Sequence, residues 1–207
     1  MYQASRNCGA ANSVHWAHYF LQTASDESQW LYMLIDAAHD ARIFPALEKS
    51  WHTRACLFSE DQVSSAIKSA APFLVKIKKI DEFMVWCMQE GFNKHWMIFF
   101  TSPEIHVSEI KLHFKRFSQA YGPDGKQYFF RYYDPRVLPI FLAAAGGRDR
   151  TDFFRRCKLV WIPQVCSDGS VQVLKLDASC SPQVVYQYGE ALQNISTPNV
   201  TIQNASI

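Results

Sequence analysis

The chain has 207 residues, 48% of them apolar and 14% aromatic, enough to bury a substantial core in one large domain without disulfide staples. Lys and Arg exceed Asp and Glu by only two, so the chain as a whole lacks the charge of a nucleic-acid binder. The six cysteines include no C-x-x-C pair, no signal peptide opens the chain, and no apolar run is long enough to span a bilayer, so a soluble cytoplasmic protein is expected.

Residues 1–12 are small and polar without a period and read as a frayed start. From Ser13 to Thr23, Val14, Ala17, Tyr19, Phe20 and Leu21 fall near one another on a helix that Ser13 can cap. His15 and His18 lie three apart there, but no third ligand is near in sequence, so no metal site is expected. Trp30–Ile35 is an unbroken apolar run and predicts a buried strand ending at Asp36. A short helix over 42–49, a strand over 54–58, a helix over 61–70 capped by Ser59, and a strand over 73–77 follow. Asp81 and Glu82 suit a helix start through the helix dipole, and Gly91 marks its end. His95–Phe100 reads as the most buried strand, and Val107, Ile110, Phe114 and Phe117 form one apolar helical stripe.

The turn Tyr121–Lys126 separates two aromatic segments, 118–121 and 127–133, and predicts a hairpin. A helix opened by Asp134 and Pro135, a short basic helix over 149–156, and a strand pair over 158–163 and 170–176 come next. The expected fold is α/β in the α+β sense: a single domain over 1–177 with one mixed sheet flanked by helices, plus a C-terminal hairpin. The early strands, each following a helix, are free to pair parallel. Residues 178–207 have Glu190 as their only charge and read as a polar tail, loosely ordered or completed by a partner.

Charge is uneven along the chain. Residues 111–158 hold 11 Lys and Arg against 4 Asp and Glu, whereas 1–110 hold 9 against 12 and 159–207 hold 1 against 3. This basic block is either a set of solvated helix faces or the footprint of an acidic partner, with Arg148, Arg150, Arg155 and Arg156 as candidate partner-binding residues. Within it, Phe129–Leu138 turns from aromatic strand to helix. Asp134 can accept a hydrogen bond from a first-turn N–H, and Pro135 suits the first helical position. Arg131 and Arg136 flank that cap and either clamp neighbouring loops or bind a ligand. Asp36, at a strand end, is placed either to cap the next loop or to act as an acid. Cys87 lies on an apolar helix face with no local group to lower its pKa.

The blocks Tyr32–Ala37 (YMLIDA), Trp96–Pro103 (WMIFFTSP) and Phe130–Leu138 (FRYYDPRVL), in this order and spacing, resemble the bacterial adaptor-chaperone family of type VI secretion over roughly residues 30–156. The resemblance implies a non-enzymatic cytoplasmic protein, without cofactor or metal, that binds a toxic effector and helps load it onto the valine-glycine repeat spike protein (VgrG). Asp36, Trp96, Arg131, Tyr132, Asp134, Pro135 and Arg136 stand at the family's motif positions, mainly in structural roles. The chain departs from the family pattern at Ala38, where a glycine is expected beside the strand end, and at Met97, often a smaller residue.

Two other classes stay open. A hydrolase or transferase would use Asp36, Asp134, or a Cys and His pair brought together by the fold, although the sequence shows no nucleophile beside a base and no glycine-rich phosphate loop. A nucleic-acid binder would use the basic block; neither nucleic acid nor membrane is an expected partner.

Overall fold

A computed structural model describes residues 4–58 and 64–188. The elements run α1 (Ala4–Asp26), β1 (Trp30–Asp36), α2 (Ile43–Lys49), β2 (Thr53–Cys56), α3 (Ser65–Ser69), β3 (Pro72–Ile77), α4 (Glu82–Gly91) and β4 (Met97–Ser102). They continue with α5 (Val107–Lys115), β5 (Gln119–Tyr121), β6 (Gln127–Phe129), α6 (Leu138–Ala144), α7 (Gly147–Phe153), β7 (Val160–Val165), β8 (Val171–Leu176) and β9 (Gln183–Tyr188). Seven strands make one sheet in the order β2-β3-β1-β4-β7-β8-β9, and β5 and β6 form a separate two-stranded ribbon. The α+β class and the single sheet flanked by helices are as the sequence predicts.

The sheet is a middle layer. On one face, Trp16, Ala17 and Phe20 of α1 and Phe83, Met84 and Cys87 of α4 pack on Leu31, Met33, Phe73, Val75, Phe99 and Trp161. On the other, Ile110 and Phe114 of α5, Leu138 and Leu142 of α6 and Phe153 of α7 pack on Tyr32, Leu34, Leu74, Ile98, Phe100 and Val160. Alternate residues of one strand therefore feed two cores, and β1, β3 and β4 are buried along almost their whole length.

That double coverage explains the main topological difference from the sequence reading. The early strands each follow a helix and were free to pair parallel in a mixed sheet, yet β1 pairs antiparallel with both β3 and β4, and every other strand pair is antiparallel too. An unbroken apolar run reports helices on both faces, and it carries no information on strand direction. Pro163 is tolerated inside β7 because the β4–β7 pairing lies at Phe99, Phe100 and their partners Trp161 and Val160, upstream of the proline.

Three boundaries also move. α1 starts at Ala4, so Ser13 is an interior residue and not a cap. α3 is capped by Ser64, whose side chain accepts from the Ile67 N–H, and the expected cap Ser59 lies outside the described residues. The segment read as a tail supplies β9, which pairs with β8 from Gln183 to Tyr188; residues 189–207 lie outside the described part.

Candidate functional site

One end of the sheet gathers most of the motif. β1 ends at Asp36, whose backbone N–H donates to the Trp96 carbonyl at 2.9 Å, so the end of β1 and the approach to β4 are held together. The Asp36 carboxylate accepts from the Ala38 N–H at 3.0 Å and opens a short 3-10 turn over Ala37–His39. That is one of the two roles the sequence left open for it. The same carboxylate lies 3.8 Å from the Arg131 guanidinium and 4.0 Å from the His39 ring. Burial, followed by the charge of Asp36, raises the pKa of the neighbouring Tyr133 phenol, which therefore stays neutral.

Asp134 is the second buried carboxylate. It accepts from the Arg136 backbone N–H at 2.9 Å and takes that residue's guanidinium through two bonds, 3.0 Å to Nε and 2.6 Å to the terminal nitrogen. Burial pushes the Asp134 carboxyl upward, and the hydrogen bonds from Arg136 more than offset this, leaving it below the ordinary carboxylate range. Asp134 thus caps a turn rather than the helix. α6 begins only at Leu138, behind Val137, which makes no side-chain cap, and the proline in its first turn is Pro139, not Pro135. The sequence reading failed here because an Asx-turn and a helix N-cap use the same residue and the same acceptor.

Both arginines keep their heads outside. The side chains of Arg131 and Arg136 are 55% and 58% exposed, while the carboxylates that hold them are almost fully buried. Two imidazoles complete the cluster. His95 has left-handed backbone at φ 60° just before β4, and burial, then the Arg136 charge, holds its pKa below the usual imidazole value. His39 Nε2 and His95 Nδ1 are buried ring nitrogens that make no hydrogen bond among the described residues, the first lying 4.0 Å from Asp36. Their place beside the motif was not foreseen, and no spacing in sequence links them to it. Trp96 and Tyr132, by contrast, are core residues: Trp96 packs on Trp86 with ring centres 5.2 Å apart, and Tyr132 stacks on Phe114 at 5.8 Å. Pro135 is buried beside Asp134. Chemically, this end of the sheet offers two exposed guanidiniums, Arg136 hydrogen-bonded to Asp134 and Arg131 at ion-pair distance from Asp36, suited to a carboxylate or another acidic group of a partner.

The four arginines of the basic block do not act as a unit. Arg156 reaches Glu104 at 2.8 Å and Glu109 at 3.4 Å, tying the segment after α7 to the β4–α5 connection. Arg155 is paired with Asp152, Arg150 lies near enough to the Cys180 thiol to draw its pKa down against the larger effect of burial, and Arg148 is exposed on α7. The cysteines Cys87 and Cys157 are buried thiols whose pKa values burial pushes well up, the opposite of what an attacking thiolate needs. No cluster of three or more metal-ligating side chains occurs among the described residues, and no helix among them is long and apolar enough to cross a membrane.

A second feature lies beside the motif. The β5–β6 ribbon leads directly into Phe130 and Arg131, and it stands away from the main sheet with Tyr121, Tyr128 and Phe129 exposed. Between the ribbon and the helices α6 and α7 an open groove of about 500 Å³ has Phe117, Ala120, Phe130 and Phe141 as its apolar lining and Arg116, Asp149 and Asp152 as its charged lining. Ile140, 70% exposed, lies on α6 next to the lining residue Phe141. Sequence reasoning found the hairpin but not the groove, whose walls come from segments separated by up to 36 residues, Arg116 to Asp152.

No curated protein and no solved structure matches this chain. A family model does match, over residues 31–152, a span that starts within β1 and includes Asp36, Trp96, the ribbon and the Arg131–Arg136 turn. The residues that build the sheet end and its neighbouring groove are thus the residues of one family, and the chain belongs to it: the domain of unknown function DUF4123.

Proposed function

We propose that this protein is a non-enzymatic adaptor that grips a secreted effector of the type VI system inside the producing cell and helps load it onto the valine-glycine repeat spike protein. The observation that carries this reading is how the motif's charges are used. Asp36 and Asp134 are buried and engaged with arginines, whose heads form an exposed rim beside an aromatic ribbon and groove. Such a combination of anchored guanidiniums and exposed aromatic side chains has the composition of protein-binding hot spots. Membership of a family met in type VI effector-adaptor settings supports the same reading.

Affinity capture from the native bacterium, with the full chain as bait, tests it. A toxin-domain protein or a spike protein recovered in near-stoichiometric amount is the expected result. Recovery of neither, from cells shown to express the secretion apparatus, overturns it. The enzymatic alternative at Asp36 and Asp134 would require one of these carboxylates to be available to a substrate, and the bidentate hold of Arg136 on Asp134 weighs against that.

A further inference from the structure

The ribbon has a free edge of defined chemistry. Phe130 N–H donates to the Ser118 carbonyl at 2.8 Å and Gly122 N–H to the Lys126 carbonyl at 2.9 Å, in the register that pairs Gln119 with Phe129, Ala120 with Tyr128 and Tyr121 with Gln127. In an antiparallel pair the hydrogen-bonded positions alternate. Ser118, Ala120 and Gly122 therefore bond inward to the partner strand, and the backbone N–H and C=O groups of Gln119 and Tyr121 point outward from β5. The Gln119 N–H closes the 3-10 turn Arg116–Ser118, and among the described residues no backbone hydrogen bond from outside the ribbon reaches the other three outward groups.

The pleat ties this edge to the groove. Ala120 and Phe130 lie on the same face of the ribbon, because Ala120 and Ser118 share a face and Phe130 is paired with Ser118; both line the groove, which Gln119 also borders from the edge of β5. A strand laid along the outer edge of β5 would satisfy the Gln119 carbonyl and both backbone groups of Tyr121, and place the residue opposite Ala120 on the groove face. Every second residue from that one follows it. The apolar lining from Phe117, Phe130 and Phe141 suits aliphatic or aromatic side chains at these positions.

We infer that β5 receives an extended segment of the partner protein as a third strand of the ribbon, a segment that alternates apolar residues, directed into the groove, with polar residues directed away from it. This deepens the adaptor reading and rests on it for the identity of the partner, while the edge itself can be tested separately.

The test selects short peptides from a display library on the full chain. The expected peptides alternate apolar and polar residues. Two variants should each weaken their binding about tenfold or more. Tyr121→Pro removes one outward N–H and leaves the bonds to β6 in place; Ala120→Trp fills the groove from an exposed position. Gln127→Pro, the equivalent change on the opposite edge of the ribbon, should leave binding within about twofold. Selection of peptides without alternation, or of alternating peptides that bind Ala120→Trp as tightly as the wild type, overturns the inference. The Ala120→Trp arm does not depend on how well β5 tolerates proline. Native capture separates the two claims: a toxin-domain or spike protein retained equally by wild type and Ala120→Trp sinks the groove and leaves the adaptor reading standing, whereas capture of neither sinks the adaptor reading and the peptide arms still decide the edge.

Discussion

β1 and β5 are both aromatic strands, and they stand at opposite extremes of enclosure. β1 has β3 on one edge and β4 on the other, with helices over both faces, so Tyr32 and Met33 are fully buried. β5 has a single neighbour and all three of its residues are exposed, Tyr121 to 75%. The same residue classes are therefore enclosed in one region and left open in the other, and composition alone does not separate the two settings. What separates them is whether edges and faces are already occupied.

The comparison breaks first if the enclosed strands tolerate truncation. Phe99 and Phe100 are consecutive in β4 and point into different cores, Phe99 with Phe20 at 5.0 Å and Phe100 with Phe114 at 4.9 Å. Phe99→Ala and Phe100→Ala should each cost about 3–5 kcal/mol in urea unfolding. If only one does, the sheet is not shared equally between its two layers.

Next in size is Asp134. Its replacement by alanine strips the Arg136 guanidinium and its backbone N–H of their acceptor, and a loss of about 1–3 kcal/mol should appear in the same assay. Asp134→Asn keeps the turn acceptor, so partner capture should survive it. Abolished function with an intact melt would instead favour the carboxylate as a reacting group.

A pH series probes two imidazoles, the half-buried His95 and the buried His113. Burial holds His95 and His113 below the usual value; for His113 the hydrogen bond to the Phe153 carbonyl offsets this only in part. The unfolded chain therefore binds more protons than the folded chain between the lowered folded values and about 6.5. Stability should fall as pH drops through that window, by about 2–4 °C in melting temperature for each 1 kcal/mol lost. A flat profile from pH 7 to 5 would show that neither ring is held neutral.

The basic block offers a smaller contrast. Arg156→Glu brings a carboxylate beside Glu104 and Glu109 and should cost about 1 kcal/mol. Arg148→Glu, on the exposed side of α7, should change stability by no more than about 0.5 kcal/mol. Reversal at Arg148 is thus the cleaner probe of partner binding and its salt dependence. The smallest effect expected on the fold is at the ribbon, where Tyr128→Ala should stay within about 0.5 kcal/mol while lowering partner capture.

Much of the fold was legible in the chain, for reasons that differ by element. Asp81 announced the start of α4 and does cap it, accepting from the Met84 N–H at 2.9 Å, while the same carboxylate oxygen lies 3.1 Å from the buried His52 ring, a contact the sequence did not show. Asp134 offered the same signal and gave a turn, since one acceptor serves both motifs. β1, β3 and β4 were visible as apolar runs, but their antiparallel pairing was not, because burial leaves a trace in composition and direction does not. Asp36, Arg131, Asp134 and Arg136 were singled out as a motif, and the fold brings them to one end of the sheet with His39 and His95. Those histidines carry no periodic signal and could be found only in three dimensions.

The order of strands in the sheet has a consequence for the chain as it is synthesised. β1 through β4 can assemble as soon as residue 102 is available, but the other side of β4 is completed by β7, which begins at Val160. While residues 103 to 159 emerge from the ribosome, a nascent protein with a nearly finished half-sheet therefore holds open a seam that will later run through its middle. That interval, rather than the finished molecule, is when this chain is most vulnerable to joining a neighbouring copy.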